Sequence, residues 1–439
     1  MYHLFMRDLD SISKELSELP KGYISKKQIK GKTYFYWQYF SDGKLKSVYI
    51  PFSKVEETKA LLERRKDLEK QIEAMQKSNN SFNVPSERAK RFTGCLMSGD
   101  KVAAKFNEGV LICFDERICP LYIKRTKDIQ KFLENRCIDL SRPNARVLLK
   151  FLKIYNKCQS LIPLYSYGAC ISDNYWFKPS GSKKKYKDIS FNSDYLHDLA
   201  LNGGIPQFKH FGSFSPELTN IGSFEKCWKL IDGEWWLFKK GNEDQIFSEL
   251  FTAKLSQFLG LTTAIYEYDD GNIKTKNFAY DYNFEPMYAL CDDNEDYEMV
   301  FGALLKFGKK IAQDFLKLLF CDCLVFNVDR HNNNYGILRN KDNGEIISLA
   351  PNFDNNLSLL AYNKTLDQDP KSDGLIKIFV DFLKESNEAM ILFKKSKINQ
   401  INENDIRKII KGIPIKKDEE KIIDFVLRRY EFLMEIKNS

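Results

Sequence analysis

The sequence predicts an α+β protein with a small N-terminal module followed by a larger globular part. Short runs rich in aromatic and β-branched residues, joined at Asp-Gly or Asn-Gly pairs, predict antiparallel hairpins. Apolar residues at helical spacing predict that the last third of the chain is mostly helical. A length of 439 residues, with 43% hydrophobic and 29% charged residues, is typical of a globular protein with a sizeable core.

The first element is a hairpin in an accessory module that we place at residues 1–80. Thr33–Phe40 favours a strand, Asp42-Gly43 favours a tight turn, and Leu45–Ile50 would be the returning strand. A long helix follows, because an apolar stripe runs among alternating charges, formed by Leu61, Leu68, Ile72 and Met75. The polar stretch 78–85 is typical of a linker.

This N-terminal module is basic and aromatic. Its lysines lie among the aromatic residues of the hairpin region, at Lys26, Lys27, Lys30, Lys32, Lys44 and Lys46. Such interleaving suits nucleic-acid binding. It equally suits a small sheet with a solvated basic face, since lysines protect sheet edges from aggregation. Both interpretations stay open, and the helix could also be a docking arm.

Short strands and helices alternate in the larger part of the chain. Leu111–Tyr122 is rich in strand-forming residues, and Asn144–Tyr155 has a helical pattern. Cys227–Lys239 predicts two strands turned at Asp232-Gly233, and Ser248–Leu259 predicts a helix that ends at a glycine. Further helices are expected at Asn404–Ile410 and Lys417–Ile436.

Cysteine usage and hydropathy predict a cytoplasmic protein. The ten cysteines are scattered, no C-x-x-C occurs and only four histidines are present, so a zinc site is not expected. We expect reduced, mostly buried thiols. The most apolar segment is interrupted by Lys317 and Asp322, and no membrane span is predicted. The net charge of +8 permits an acidic partner without requiring one.

The stretch FNVDRHNNNYGIL at 326–338 concentrates polar side chains at one turn. Asp329 and Asn334 have the D-x-x-x-x-N spacing of kinase catalytic loops. A hairpin turned at Asn343-Gly344 follows, and then Asp354. One Asp, one Asn and nucleotide phosphates would offer Mg²⁺ the hard oxygen ligands that it prefers. The alternative is a polar turn capped by its own Asn side chains, which leaves Asp354 unexplained.

These residues resemble the paired motifs of the HipA-like serine/threonine kinases. The resemblance is strongest in Asn327–Asn334 and Ala350–Asp354, and it continues upstream through the phosphate-covering loop Thr219–Lys226 and through Trp236–Lys239. It covers roughly residues 88–435. It implies a bilobal protein-kinase-like fold, related to phosphatidylinositol kinases, with an N-lobe at 88–290 and a C-lobe at 291–439.

The resemblance also implies roles for individual side chains. Asp329 would orient the acceptor hydroxyl, Asn334 and Asp354 would hold magnesium, and Lys239 would pair with Glu249 at the start of a helix. Lys240, which follows directly, is the alternative to Lys239. The expected ATP contacts are Gly222, Ser223, Lys226, Lys239 and His331, and the candidate adenine hinge is Lys276–Phe278. We expect Asn332 and Asn333 to be solvated loop residues.

Regulation and partners are implied by resemblance alone. Thr219 occupies the position at which some HipA-like kinases phosphorylate themselves, and family members often act as toxins paired with an antitoxin. Chain size and the loop Gly222–Lys226 favour protein as the substrate. One alternative is a lipid kinase, because D-R-H-x-x-N also occurs there. The other is an inactive nucleotide-binding regulator that works through the basic N-terminal module.

Overall fold

The computed structural model describes residues 19–20, 22–29, 32–41, 44–81, 92–204, 214–362 and 365–439. The chain divides into two compact units, Met1–Glu87 and Arg88–Ser439. The described residues form helices and four separate antiparallel sheets. The predicted α+β class is therefore confirmed.

The first unit holds a three-stranded sheet and one long helix. Strands β1 (Tyr23–Ile29), β2 (Lys32–Ser41) and β3 (Lys44–Ile50) pair in that order. A 3-10 turn at Phe52–Lys54 leads into α1 (Val55–Ser81). The two strands of the predicted hairpin and the predicted helix are present, but the turn at Asp42-Gly43 lies outside the described residues. The linker predicted at 78–85 was wrong for 78–81, because α1 continues to Ser81, and residues 82–85 lie outside the described residues. Strand β1 was missed because its lysine-rich sequence lacks an apolar alternation, yet it pairs with β2 along its whole length. Some residues of the predicted basic and apolar patterns lie outside the described part of the chain. They are Lys30 and the side chains of Lys32, Lys44, Ile72 and Met75.

The second unit begins with a four-stranded sheet in the order β6-β5-β4-β7. Its strands are β4 (Gly94–Ser98), β5 (Lys101–Asn107), β6 (Val110–Phe114) and β7 (Tyr175–Pro179). Between β6 and β7 lie α2 (Leu121–Thr126), α3 (Ile129–Glu134) and α4 (Ala145–Phe151). The strand predicted up to Tyr122 ends at Phe114, and Pro120 precedes the first turn of α2, where proline is well tolerated.

A second four-stranded sheet, in the order β10-β11-β9-β8, carries the predicted hairpin. Helix α5 (His197–Asn202) precedes β8 (Lys226–Ile231) and β9 (Glu234–Lys239), and α6 (Glu243–Phe258) precedes β10 (Tyr266–Asp269) and β11 (Asn272–Lys276). Asp232 and Gly233 turn the hairpin with φ values of 50° and 82°. Two consecutive positive φ values are what a type I′ turn requires, which explains the Asp-Gly pair.

The third sheet of this unit joins β12 (Tyr282–Pro286), β13 (Gly336–Asn340) and β14 (Ile346–Leu349) in that order. Strands β13 and β14 form the hairpin predicted at Asn343-Gly344. Since β12 pairs with β13, this sheet crosses the expected lobe boundary at 290/291. The exact division into lobes stays a prediction.

Helices dominate the rest of the chain. They are α7 (Tyr288–Cys291), α8 (Tyr297–Leu305), α9 (Lys309–Val325), α10 (Gly374–Glu385), α11 (Asn387–Lys395), α12 (Glu403–Lys411) and α13 (Glu419–Asn438). Helix α9 is the central one, since all its residues from Phe315 to Val325 are buried. It ends at Phe326 in the left-handed region, directly before the polar stretch. In the part of the chain that the structure describes, we find no helix with the length and hydropathy of a membrane span.

Candidate active site

A cavity of about 490 Å³ in the second unit brings together all the side chains predicted to be functional. Its lining includes Thr219, Gly222, Ser223, Lys226, Lys239, Glu249, Asp329, His331, Asn334 and Asp354. The hinge candidates Lys276, Asn277 and Phe278 line it as well. These positions are spread over 136 residues of sequence, from 219 to 354, so the fold has to assemble them.

Lys239 is the last residue of β9, and its ammonium group lies between two acidic side chains. Its Nζ forms an ion pair with Asp354 and lies 3.9 Å from Oε2 of Glu249. Burial alone would lower the pKa of Lys239, but the charges of Asp354 and Glu249 raise it above the ordinary lysine value. Lys239 therefore stays charged. Lys240 is not among the lining residues.

Glu249 lies in the middle of α6 rather than at its start. The capping box formed by Asn242 and Gln245 begins the helix at Glu243, so the expected position within the helix was wrong. The carboxylate of Glu249 is fully buried, and its Oε1 accepts a hydrogen bond of 2.6 Å from the backbone N–H of Asn355. Burial raises the pKa of Glu249, although the charge of Lys239 opposes this. Glu249 thus connects Lys239 with the segment that carries Asp354.

Asp354 has a backbone conformation that non-glycine residues seldom adopt, with φ of 57°. Its N–H donates to the hydroxyl of Tyr266 at 3.0 Å. Burial alone would raise the pKa of Asp354, but the charges of Lys239 and Lys226 lower it to about 2. The side chain is therefore a carboxylate at neutral pH. Strained backbone at such a position is typical of functional sites.

The polar stretch after α9 folds into a loop held by its own side chains. Oδ1 of Asn327 accepts from the N–H of Asp329 at 3.2 Å, and Nδ2 of Asn334 donates to the carbonyl of Asp329 at 2.9 Å. With its Nδ2 in use, Asn334 keeps its Oδ1 for the cavity that it lines. Burial raises the pKa of the half-buried Asp329; the charge of His331 opposes this rise and that of Asp354 adds to it.

Arg330 connects this loop to the segment of Asp354, a function that the sequence analysis missed. Its guanidinium forms a buried ion pair with Asp322 of α9, at 2.8 Å. It also donates to the carbonyls of Asn334 and Phe353, both at 2.8 Å. Further bonds reach the Oδ1 atoms of Asn352 and Asn355. The only sequence signal was its place inside the D-R-H motif.

The two asparagines expected to be solvated differ from each other. Asn333 is exposed, as expected, but Asn332 is only 2% exposed. Nδ2 of Asn332 donates to the carbonyls of Asp292 and Asn294 at 2.8 Å each, and its Oδ1 accepts from the hydroxyl of Tyr335. The expectation for Asn332 was wrong because both acceptors of its Nδ2 lie about 40 residues upstream, beyond any local pattern.

His331 lines the cavity and also forms a hydrogen bond within the loop that follows α9. Its Nδ1 accepts a hydrogen bond of 3.3 Å from the N–H of Asn333. A packing role and a contact with a ligand are both compatible with this position, so the predicted ATP contact stays a prediction.

Lys226 and Gly222 also line the cavity. Lys226 begins β8 directly across from Lys239 in β9, so both lysines project from the same face of the sheet. Lys226 is only 7% exposed, and burial lowers its pKa to about 7. Gly222 has φ of 107°, and a Cβ added there would collide with Nζ of Lys226. The loop thus needs glycine at this position.

Thr219 ends a 3-10 turn at Pro216–Thr219 and is buried, with 1% exposed. Its hydroxyl donates to the carbonyl of Ala169 at 2.6 Å and to that of Pro216 at 3.3 Å. In this conformation the Thr219 hydroxyl is hydrogen-bonded inside the protein and is not exposed to solvent.

The donor set of the cavity fits a magnesium ion with nucleotide phosphates. The carboxylate of Asp354 and the amide oxygen of Asn334 are hard ligands, and two ligands from the protein suffice when phosphates and water complete the octahedron. The ammonium groups of Lys226 and Lys239 supply positive charge beside them. This combination suits a ligand that carries phosphate groups.

Comparison with models of known families finds a match within the first unit. The family described as Domain of unknown function (DUF6788) matches residues 5–60. No curated protein matches the chain.

Solved structures match more of the chain. HipA from the toxin–antitoxin system of Shewanella oneidensis MR-1, solved with HipB and operator DNA, aligns with a TM-score of 0.52 at 14% identity, covering 79% of this chain and 100% of that one. The proinflammatory kinase CtkA of Helicobacter pylori aligns with a TM-score of 0.40 at 18% identity, covering 48% of this chain and 92% of that one. The similarity to HipA shows that the chain has a HipA-like kinase fold, as predicted.

Proposed function

We propose that this protein is an ATP- and magnesium-dependent serine/threonine-protein kinase of the HipA-like type. The observation that supports this most is the meeting of Lys239, Glu249, Asp329, Asn334 and Asp354 in one cavity. In kinases, a Lys–Glu pair, a catalytic-loop Asp and Asn, and a metal-binding Asp perform phosphoryl transfer together. An inactive relative would be expected to lack at least one of them.

Asp329 would orient the acceptor hydroxyl and accept its proton. A positioned base of this kind contributes roughly 10²–10⁴-fold to the rate. The side chain is half-buried at the cavity wall, and the bond from Asn334 to its carbonyl fixes the backbone beneath it. Its raised pKa makes it a better proton acceptor than an exposed aspartate.

Asn334 and Asp354 would hold magnesium, which neutralises charge on the phosphates during transfer. Lys239 would contact the same phosphates. Glu249 would keep the Lys239 ammonium in place when the Asp354 carboxylate turns to the metal, since the two acidic side chains share that lysine in the free protein.

The test is transfer of γ-labelled phosphate from Mg-ATP by wild type, Asp329→Asn and Asp354→Ala. We expect label on protein substrates from a cell lysate with wild type, and a loss of about 10²-fold or more with Asp329→Asn. ATP should still raise the melting temperature of Asp329→Asn, which shows that the nucleotide site is intact. Equal transfer by wild type and Asp329→Asn would show that the catalytic assignment is wrong.

Two alternative functions give different results in the same assay. A lipid kinase would label phosphoinositide vesicles and no lysate protein. A nucleotide-binding regulator without activity would show stabilisation by ATP and no labelled product with either acceptor.

Autophosphorylation at Thr219 is part of the proposal. Because the hydroxyl is buried and hydrogen-bonded, the segment Pro216–Thr219 would have to leave its place before Thr219 could reach the active site. A phosphate adds about −1.5 to −2 charges and could not return to that buried place. Mass spectrometry after incubation with Mg-ATP should find phosphate on Thr219. Unmodified Thr219 in protein that labels a substrate would contradict this.

We also propose that the protein is the toxin of a pair and works in the cytoplasm. Support comes from HipA, which was solved with HipB, and from the free state of all ten cysteines, which suits a reducing compartment. Induced expression of wild type should arrest growth of a bacterial host, whereas Asp354→Ala at the same protein level should not. Equal growth of both strains would contradict a toxic kinase activity.

A nucleic-acid partner is proposed for the first unit, on a specific face of its sheet. Cross-strand pairing places Lys27 beside Tyr34, and Tyr36 beside Tyr49, on one face. Tyr23 shares that face; Tyr23 and Tyr49 are 51% and 52% exposed. Between residues 19 and 50 the sequence has seven lysines and one acidic residue. Exposed aromatic rings with surrounding positive charge suit single-stranded nucleic acid, whose bases can stack on them.

Fluorescence anisotropy with a labelled single strand and its duplex tests this partner. Tyr49→Ala should weaken single-strand binding, since stacking contributes about 1–3 kcal/mol per base. Val48→Ala, an exposed residue on the opposite face, is the matched control. Tighter binding of the duplex, unaffected by Tyr49→Ala, would contradict a stacking surface.

A further inference from the structure

A buried arginine that does not line the cavity donates hydrogen bonds to the backbone of the phosphate-covering loop, Thr219–Lys226. Arg142, which follows α3 and precedes α4, is 2% exposed. Its Nε and Nη2 donate to the carbonyl of Gly222 at 3.0 and 2.9 Å, and Nη2 also donates to the carbonyl of Asn220. Its Nη1 lies 3.4 Å from the carbonyl of Lys226. One guanidinium thus contacts three carbonyls within seven residues of the loop.

These contacts fix the direction in which backbone amides of the loop point. In a trans peptide the C=O and the following N–H point in opposite directions, and no cis peptide occurs among the residues that the structure describes. With the carbonyls of Asn220 and Gly222 turned to Arg142, the N–H groups of Ile221 and Ser223 point away from it. Neither N–H donates to another residue in the described part of the chain. Ile221 and Ser223 both line the cavity, and Arg142 does not.

We propose that Arg142 is a positioning residue which turns the amides of Ile221 and Ser223 toward the cavity, where they bind nucleotide phosphate. This inference rests on the proposed ATP-dependent function. Successive backbone N–H groups facing one way form an anion-binding concavity. Kinase loops usually obtain that shape from several glycines, whereas this loop has Gly222 alone. Hydrogen bonds from Arg142 here replace the missing glycines.

The chemistry of Arg142 suits holding a backbone rather than neutralising a carboxylate. Among the described ion pairs none includes Arg142, although Glu217 contributes favourable charge nearby. A guanidinium presents its donors in a planar fork and can bond several carbonyls at once. A lysine at this position would keep the charge but not the fork, so it would hold one of the peptide planes at most.

Equilibrium binding of ATP and adenosine to wild type, Arg142→Lys and Arg142→Gln tests the proposal. Adenosine lacks the phosphates, so its affinity should change less than twofold. ATP affinity should fall about 10–100-fold in Arg142→Gln, as expected for the loss of one or two hydrogen bonds to a charged group, and less in Arg142→Lys. Arg429→Lys is the control for loss of a buried arginine, since Arg429 pairs with Asp373 in the helical core. It should lower the melting temperature and leave the ratio of the two affinities unchanged.

Hydrogen exchange on the wild-type protein tests the same point without a variant. ATP, but not adenosine, should slow exchange of the amides of Ile221 and Ser223. An unchanged affinity ratio in the Arg142 variants, or unprotected amides in ATP-bound wild type, overturns the role of Arg142 while the kinase proposal stands. If wild type binds ATP no better than adenosine, the proposed function fails as well.

Discussion

Lys226 is the residue whose protonation we expect to couple nucleotide binding to pH. Burial lowers its pKa to about 7, whereas the pKa of Lys239 across the sheet is raised by its acidic neighbours. Phosphate beside Lys226 would raise its pKa, because an opposite charge favours the ammonium form. Above pH 7 the free protein therefore has to take up a proton when ATP binds, and affinity should fall as the pH rises from 7 to 9.

Calorimetry in buffers of different ionisation enthalpy measures this proton uptake directly. Lys226→Met should abolish both the uptake and the decline in affinity above pH 7. Lys229→Met, three residues further along the same strand, is the control. A proton uptake that persists in Lys226→Met would assign the effect to another group.

Gly222 is where a single methyl group should disturb the loop most. Gly222→Ala places a Cβ against Nζ of Lys226 and forces φ of 107° on an L-residue. The end of the Lys226 side chain can move aside, but the strained φ costs about 1–3 kcal/mol, and only a change in the backbone of the loop relieves it. We expect a lower melting temperature and weaker ATP binding.

Gly233→Ala separates the effect of a strained φ in general from the effect of strain in the loop that lines the cavity. Gly233 also has a positive φ, of 82°, but an added Cβ meets open space in the turn of the β8–β9 hairpin. That variant should lose stability and keep its ATP affinity. Equal loss of affinity in both variants would mean that the conformation at Gly222 has no specific importance.

At the scale of elements, Arg330 joins α9, the loop after it and the segment of Asp354 into one unit. Arg330→Met leaves Asp322 without its buried partner, which typically costs about 3–5 kcal/mol. Adding Asp322→Asn removes the uncompensated charge and keeps an acceptor for Asn327. We expect this double variant to recover much of the melting temperature but not phosphate transfer, because the carbonyls of Asn334 and Phe353 stay unheld. Recovery of both would show that Arg330 only balances charge.

The sequence could predict those features whose determining residues lie close together along the chain. Asp329 and Asn334 were accessible because their spacing is itself the motif, and the β8–β9 hairpin because Asp232-Gly233 specifies its turn. Arg142, Arg330 and Asn332 act through partners that are distant in sequence or are backbone carbonyls, which have no sequence identity. Strand β1 depends on pairing with β2 rather than on its own pattern. Short sequence motifs thus identified the side chains that line the cavity. Only the fold identified the residues whose hydrogen bonds hold the surrounding backbone in place.

At the scale of the whole molecule, the cavity and its supporting core belong to the second unit alone. The hydrophobic clusters of the described residues contain no side chain before Phe92, and every residue lining the cavity lies after Cys119. We therefore expect residues 88–439, expressed alone, to fold, to bind ATP with wild-type affinity and to transfer phosphate.

The shortened chain should no longer bind single-stranded nucleic acid, because it lacks residues 1–87. The measurements are melting temperature with and without ATP, label transfer to lysate protein, and anisotropy with the labelled oligonucleotide. Loss of ATP binding in the shortened chain would show that the first unit contributes to the site, and retained oligonucleotide binding would place the nucleic-acid surface on the second unit.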